Sequence, residues 1–161
     1  MSTTLHFFCG KMAAGKSTLA EKLATENNAI LLIEDMWLAG LYPDEITDIP
    51  GYIKYASRLH DVLADHIIAI LKHKVSVVLD FPANTVNQRN WFRKLYESAG
   101  VTHTLHYVDV GDDVCKKQLE QRSKNKPAGS AFTTAEEFDY ITKYFQPPST
   151  AEGFNVTTYE R

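Results

Sequence analysis

The chain has 161 residues, of which 44% are hydrophobic and 23% are charged, and its formal net charge is −3 at pH 7. These are ordinary values for a globular protein, and the length predicts one domain over 1–161 with a substantial core. The acidic balance argues against a long polynucleotide as the partner without excluding one. No apolar run approaches the roughly 20 residues of a membrane span, so no membrane partner is expected.

The start of the chain and its cysteines bear on location. The first four residues carry no basic region and no cleavage-site pattern, so we expect no signal peptide. Cys9 and Cys115 have no metal-site spacing, and two cysteines do not suggest a disulfide framework. We therefore expect a cytoplasmic protein.

The first predicted elements are a strand over 5–9, a glycine-containing loop over 10–17 and a helix over 18–27. The loop matches the pattern G-x-x-x-x-G-K-[ST], which is a P-loop when a strand precedes it and a helix follows it. Amides of such a loop converge on phosphate oxygens at the helix N-terminus, where the dipole favours negative charge. The predicted nucleotide-binding residues are Gly10, Lys11, Met12, Ala13, Ala14, Gly15, Lys16, Ser17 and Thr18.

The residue types inside the motif define its chemistry. Gly10 and Gly15 permit backbone conformations that a Cβ atom would forbid. Lys16 reaches the β- and γ-phosphates of a nucleotide, and the Ser17 hydroxyl ligates Mg²⁺. The motif therefore predicts ATP and Mg²⁺ as cofactors and Lys16 as a catalytic residue.

The remaining predicted elements continue the alternation of strand and helix. Strands are predicted over 29–33, 75–80, 104–110 and 155–159, and helices over 55–71, over 85–96, from 112 and from the pattern Thr133-x-x-Glu136. Residues 36–53 are predicted to be irregular. This alternation predicts an α/β fold, namely a three-layer α/β/α sandwich with a five-stranded parallel sheet of the P-loop nucleoside-kinase type. Ligands are expected at the carboxyl ends of the strands.

The second predicted strand ends at Glu34 and Asp35, and we expect this strand to lie directly beside the P-loop strand. A carboxylate at that position lies near the γ-phosphate and can accept a proton from a hydroxyl group. Asp35 is therefore the candidate general base, and Glu34 can hold the same role. The structural alternative for Asp35 is a helix N-cap or a solvated loop acid.

Basic residues begin a predicted lid loop at about 122–133, after the helix that opens at 112. Arg122 comes first, and Lys124 and Lys126 follow it. Cations on a closing loop neutralise the charge that develops on a transferred phosphoryl group. The structural alternative is a solvated basic end of a helix.

Three classes of P-loop protein compete for this sequence. GTPases read guanine with an Asn-Lys-x-Asp motif, whereas the stretch 125–128 reads Asn-Lys-Pro-Ala and lacks the carboxylate. Mechanical ATPases usually place a glutamate beside the strand-end aspartate, whereas Asp80 is followed by Phe81. Phosphotransferases need a positioned base, cations over the phosphoryl group and exclusion of water, and the sequence offers candidates for these parts.

Over its whole length the chain resembles the P-loop kinases that include polynucleotide 5′-kinases, zeta toxins and chloramphenicol phosphotransferases. The resemblance rests on the P-loop, Asp35, the stretch 78–84 with Arg89 after it, and the run from Asp109 to Arg122. It implies that Asp35 is the general base and that Arg122 belongs to the lid. It also implies that Asp80 and Asn84 line the acceptor side, or that Asp80 supports Mg²⁺ and Ser17.

Two departures from the polynucleotide enzymes shape the predicted acceptor. Leu38 stands where those enzymes have an arginine that holds a substrate phosphate, and lysines follow Arg122 where a second arginine is expected. We therefore predict an ATP-dependent phosphotransferase acting on a hydroxyl of a small-molecule or nucleotide-like acceptor. The alternatives are a nucleotide-binding regulator or slow ATPase, and a polynucleotide 5′-hydroxyl kinase. Aromatic residues near Asp35 either line an acceptor pocket or pack ordinarily, namely Trp37, Tyr42, Tyr52 and Tyr55.

Overall fold

A computed structural model of the chain describes residues 2–126 and 133–160. Its strands are β1 (Thr4–Cys9), β2 (Ile30–Ile33), β3 (Val77–Pro82), β4 (Thr102–Asp109) and β5 (Val156–Glu160). Its helices are α1 (Lys16–Glu26), α2 (Glu34–Leu41), α3 (Ile49–Lys72), α4 (Val86–Ala99), α5 (Asp112–Ser123) and α6 (Ala135–Thr142), with a 3₁₀ turn at Thr150–Glu152. The predicted α/β fold is confirmed.

The five strands form one parallel sheet in the order β2-β3-β1-β4-β5. The expectation that the second strand lies directly beside the P-loop strand is wrong, because β3 lies between β2 and β1. Burial explains this order: β3 is buried over its first three residues, whereas the four-residue β2 buries only Leu32 fully. The more apolar strand therefore occupies the interior of the sheet.

Helices cover both faces of the sheet and give the three predicted layers. On one face, α3 and α4 pack on a core that includes Phe7, Leu79 and Leu105. On the other face, α1 packs on Phe8 and Val78, and α5 and α6 enclose a smaller cluster of Val108, Val110, Cys115, Leu119 and Phe138. Side chains of β1 alternate between these faces, as the period of a strand requires.

One helix was not predicted from the sequence. Residues 34–41 form α2 and α3 begins at Ile49, so the expectation that 36–53 are irregular is wrong over most of that range. The helix α2 follows β2 without a loop, has no side-chain cap and contains Gly40, so the usual start signals are missing. Glu34 and Asp35 occupy its first turn, where negative charge suits the dipole.

Two smaller boundaries also differ from the prediction. The capping pair of α6 is Thr134 with Glu137, one residue later than the predicted Thr133 with Glu136. The helix α5 continues to Ser123, so Arg122 lies in its last turn rather than in a loop. Most of the rest of the predicted lid loop, over 127–132, lies outside the described residues.

Candidate functional site

The P-loop connects the end of β1 to the start of α1. Gly15 is the N-cap of α1 and has φ 105°, a left-handed value that a side chain would strain. Gly10 is required for space, because a Cβ atom there would lie 2.8 Å from the carbonyl oxygen of Val108 on β4. The two glycines therefore let the loop turn tightly over the carboxyl end of the sheet.

The Lys16 ammonium group donates a hydrogen bond to the carbonyl oxygen of Gly10, within the same loop. Burial lowers the pKa of Lys16, the carboxylate charges of Asp80 and Asp35 oppose that shift, and the positive charge of Arg122 adds to it. Four sequence-predicted residues are thus brought within electrostatic reach of one another, although they are far apart in the chain.

Ser17 and Asp80 make the one direct contact between the P-loop helix and β3 that bears on metal binding. The Ser17 hydroxyl donates a hydrogen bond of 2.7 Å to Oδ2 of Asp80. Burial raises the pKa of Asp80, while the hydrogen bond from Ser17 and the charge of Lys16 lower it. A hydroxyl and a carboxylate oxygen at this distance are hard donors of the kind that Mg²⁺ prefers, so the residues fit that ion.

Asn84 supports the P-loop from below. Its Oδ1 accepts a hydrogen bond of 2.9 Å from the backbone N–H of Gly10, and its own N–H donates to Oε1 of Gln88 at 2.8 Å. Its carbonyl oxygen accepts from the N–H of Gln146. The side-chain oxygen that sequence analysis assigned to the acceptor side is thus engaged with the first residue of the P-loop.

Asp35 and Glu34 are neighbours with opposite environments. Asp35 is exposed and acts on the charges of Lys16 and Asp80. Glu34 is only 2% exposed, and its carboxylate accepts hydrogen bonds from the Tyr52 hydroxyl and, at 2.5 Å, from Nε2 of His60. Of the two carboxylates, only Asp35 is therefore open to a substrate hydroxyl.

Arg122 is exposed on the last turn of α5 and its charge reaches Lys16. An ion pair of 2.6 Å between the Lys11 ammonium and Oδ1 of Asp112 ties the P-loop to the first turn of the same helix. The helix that carries Arg122 is therefore held at its other end by the nucleotide-binding loop. Lys124 and Lys126 follow it and are exposed.

A buried arginine was not recognised as part of the site from its chemistry alone. Arg89 is fully buried, donates from Nε to Glu152 at 2.9 Å and from Nη1 to the carbonyl oxygen of Ala83 at 2.9 Å. Because Ala83 precedes Asn84, this contact fixes the strand end that supports Gly10. The only advance signal was the position of Arg89 after the stretch 78–84.

The aromatic residues near Asp35 divide between packing and exposure. Tyr42 and Tyr55 stack with ring centroids 4.3 Å apart and pack against the core, and Tyr52 bonds Glu34. Trp37 is 39% exposed. Across residues 2–126 and 133–160, no group of three or more metal-ligating side chains and no helix suited to crossing a bilayer is found.

Comparison with known proteins gives one family and a set of similar folds. A family model described as an AAA domain matches residues 5–148. No curated protein sequence matches the chain significantly.

Solved structures match over almost the whole chain. A presumed kinase from Chloroflexus aurantiacus is 17% identical, with a TM-score of 0.77 over 99% of this chain and 89% of that one. A sugar kinase from a Janibacter species is 16% identical, with a TM-score of 0.67 over 98% and 85%. Kti12 from Chaetomium thermophilum, solved with ADP-AlF3, is 16% identical, with a TM-score of 0.66 over 98% and 88%. At these identities the likeness establishes the fold.

Proposed function

Since the chain belongs to the AAA domain family of P-loop kinases, we propose that it is an ATP-dependent phosphotransferase that moves the γ-phosphoryl group to a hydroxyl of a small molecule. The family and the fold support nucleotide binding and a kinase-like site. The transfer to an alcohol, and the residue roles that follow, are the proposal.

One observation carries it. Asp35 is an exposed carboxylate placed within electrostatic reach of Lys16 and Asp80, next to a second carboxylate that is fully engaged by Tyr52 and His60. A P-loop protein that only binds nucleotide has no need of an open carboxylate beside its phosphate-binding lysine. A phosphotransferase needs such a group to receive the proton of the acceptor hydroxyl.

The residues divide the reaction between them. Asp35 accepts the hydroxyl proton as the acceptor oxygen bonds to the γ-phosphorus and the bond to the β–γ bridging oxygen breaks, leaving ADP. Lys16 and the P-loop amides hold the phosphate oxygens, and Arg122 neutralises charge on the moving group. Ser17 and Asp80 would hold Mg²⁺, which supplies charge neutralisation at the β- and γ-oxygens when bound.

Two further parts of the proposal concern context. The two cysteines are free and buried, which suits a cytoplasmic enzyme that meets ATP in a reducing compartment. The core of the sheet runs from β1 to β5, which supports a single kinase domain over 1–161.

The test is the substitution Asp35→Asn, with Asp65→Asn on an exposed position of α3 as the matched control. ADP production from Mg·ATP is measured across a panel of hydroxylated acceptors, and nucleotide affinity is measured separately. We expect Asp35→Asn to lower acceptor-stimulated kcat by about a hundredfold or more because the proton has no receiver, while nucleotide affinity stays within about twofold. Lys16→Ala should lose both.

Near-normal stimulated turnover in Asp35→Asn would remove that residue from the mechanism. Nucleotide binding without stimulation by any acceptor would instead favour a nucleotide-dependent regulator.

A further inference from the structure

An open cleft lies between the first turn of α3 and the helix α6. It has a volume of about 670 Å³ and is lined by Ile49, Pro50, Ile53, Glu136, Glu137 and Tyr140. Ile53 is 61% exposed and Tyr140 is 47% exposed. Large apolar side chains left open on facing walls are typical of a surface that binds a ligand.

Both walls of this cleft connect to residues of the proposed reaction. The α3 wall includes Tyr52, which lies between the lining residues Pro50 and Ile53 in sequence and bonds Glu34, the neighbour of Asp35. The α6 wall is joined to α5 by an ion pair of 2.9 Å between Asp139 and Lys116. The cleft therefore opens between the wall of the candidate base and the wall tied to the helix of Arg122.

The charge on the cleft has one sign. Both charged residues that line it are glutamates. Oε1 of Glu137 accepts bonds from Thr133 and Thr134 at the start of α6, which fixes that carboxylate in place. Glu136 lies beside it in the first helical turn and is exposed.

Nearby cations are directed elsewhere. The Lys54 ammonium and the Arg58 guanidinium each lie 5.4 Å from the ring centroid of Tyr55, on α3. The Lys143 ammonium lies 5.3 Å from the ring centroid of Tyr140 and is not among the lining residues. The lining itself thus presents apolar side chains, one phenol ring and two carboxylates.

We propose that the phosphoryl acceptor is a hydroxylated molecule with an apolar body and a protonated amine, and that it enters through this cleft. The apolar body packs on Ile53 and Tyr140, and the amine meets the carboxylate of Glu136. Carboxylates attract an ammonium group and repel a phosphate or carboxylate group, so anionic acceptors such as oligonucleotides are disfavoured. This inference rests on the proposed phosphotransfer and names the acceptor class for it.

The experiment compares three sets of hydroxylated compounds matched in size: amines, neutral compounds and anions. Phenylethanolamine, phenylethanediol and mandelate form one such trio, and the anionic set also contains a 5′-hydroxyl oligonucleotide. ADP production is measured with the unmodified chain, Glu136→Gln, Glu136→Lys and the control Glu97→Gln on an exposed position of α4.

We expect the amines to stimulate turnover most. Glu136→Gln should raise KM for amine acceptors about fivefold to tenfold with kcat retained, and Glu136→Lys should raise it further. KM for neutral compounds should change less than about twofold in either variant, and Glu97→Gln should change nothing.

Stimulation confined to neutral or anionic compounds, or an unchanged KM for amines in both Glu136 variants, would overturn the acceptor class while leaving phosphotransfer in place. Failure of all three sets to stimulate turnover would overturn the proposed function, and the acceptor class with it.

Discussion

At the scale of the residue, two adjacent carboxylates perform different work. Glu34 is buried and bonded to Tyr52 and His60, whereas Asp35 is exposed and faces the charges of the P-loop. A buried carboxylate with two hydrogen-bond donors contributes to stability, because its removal leaves both donors without a partner. An exposed carboxylate contributes little to stability.

Glu34→Ala is therefore expected to lower the free energy of unfolding by about 3 kcal/mol, and Asp35→Ala by less than about 1 kcal/mol. Urea unfolding followed by circular dichroism measures both values. Glu34→Gln keeps the shape of the side chain and should lose less than Glu34→Ala. Equal losses for the two alanine variants would contradict the division of roles.

At the scale of the element, α6 depends on its first turn. It has eight residues, and its capping box joins the Thr134 side chain to the N–H of Glu137 and the Glu137 side chain to the N–H of Thr134. Its one fully buried residue is Phe138. A helix this short is marginal by itself, so the cap and this anchor hold one wall of the proposed acceptor cleft.

Thr134→Ala should destabilise α6 by about 1 kcal/mol, because the N-cap hydrogen bond is lost. Hydrogen exchange of the α6 amides should then be about fivefold faster, while exchange in α4 stays unchanged. Glu136→Gln is the control, since Glu136 takes no part in the capping box. Equal exchange rates in Thr134→Ala and the unmodified chain would show that the cap does not hold this wall.

At the scale of the whole molecule, a polar chain crosses the sheet inside the core. His6 Nδ1 on β1 lies 2.9 Å from His106 Nε2 on β4, and His106 Nδ1 lies 2.9 Å from the Tyr159 hydroxyl on β5. Burial, and the neighbouring His6, lower the pKa of His106 from 6.5 to about 4, and burial lowers the pKa of His6 as well. The chain of bonds joins three strands only while the histidines are neutral.

This pKa shift predicts acid sensitivity. The unfolded chain protonates His106 near its ordinary pKa of 6.5 and the folded chain only near 4, so stability is present above 6.5 and is lost as the pH falls toward 4. Between about pH 7.5 and about pH 5, His106 alone should cost about 2 kcal/mol of unfolding free energy. Urea unfolding across this range measures the loss.

His106→Gln should reduce the pH dependence, although His6 still contributes in the same direction, and the exposed His66→Gln should leave it intact. The same slope in both variants would remove His106 as its source.

The sequence by itself determined the features that depend on neighbours along the chain. The P-loop, its glycines, the alternation of strand and helix and the acidic start of α5 are all local patterns, because backbone geometry and hydrophobic period act over a few residues. The P-loop kinase family followed from the same motif. The helix α2 was missed because it begins without a cap and contains Gly40.

Tertiary structure alone decided the rest. The order that places β3 between β2 and β1, the bond from Gly10 to Asn84 and the ion pair of Arg89 with Glu152 all join residues that are far apart in sequence. The division of Glu34 from Asp35 likewise depends on Tyr52 and His60 of a different helix. Burial and pairing are set by how the whole chain packs, so no local pattern specifies them.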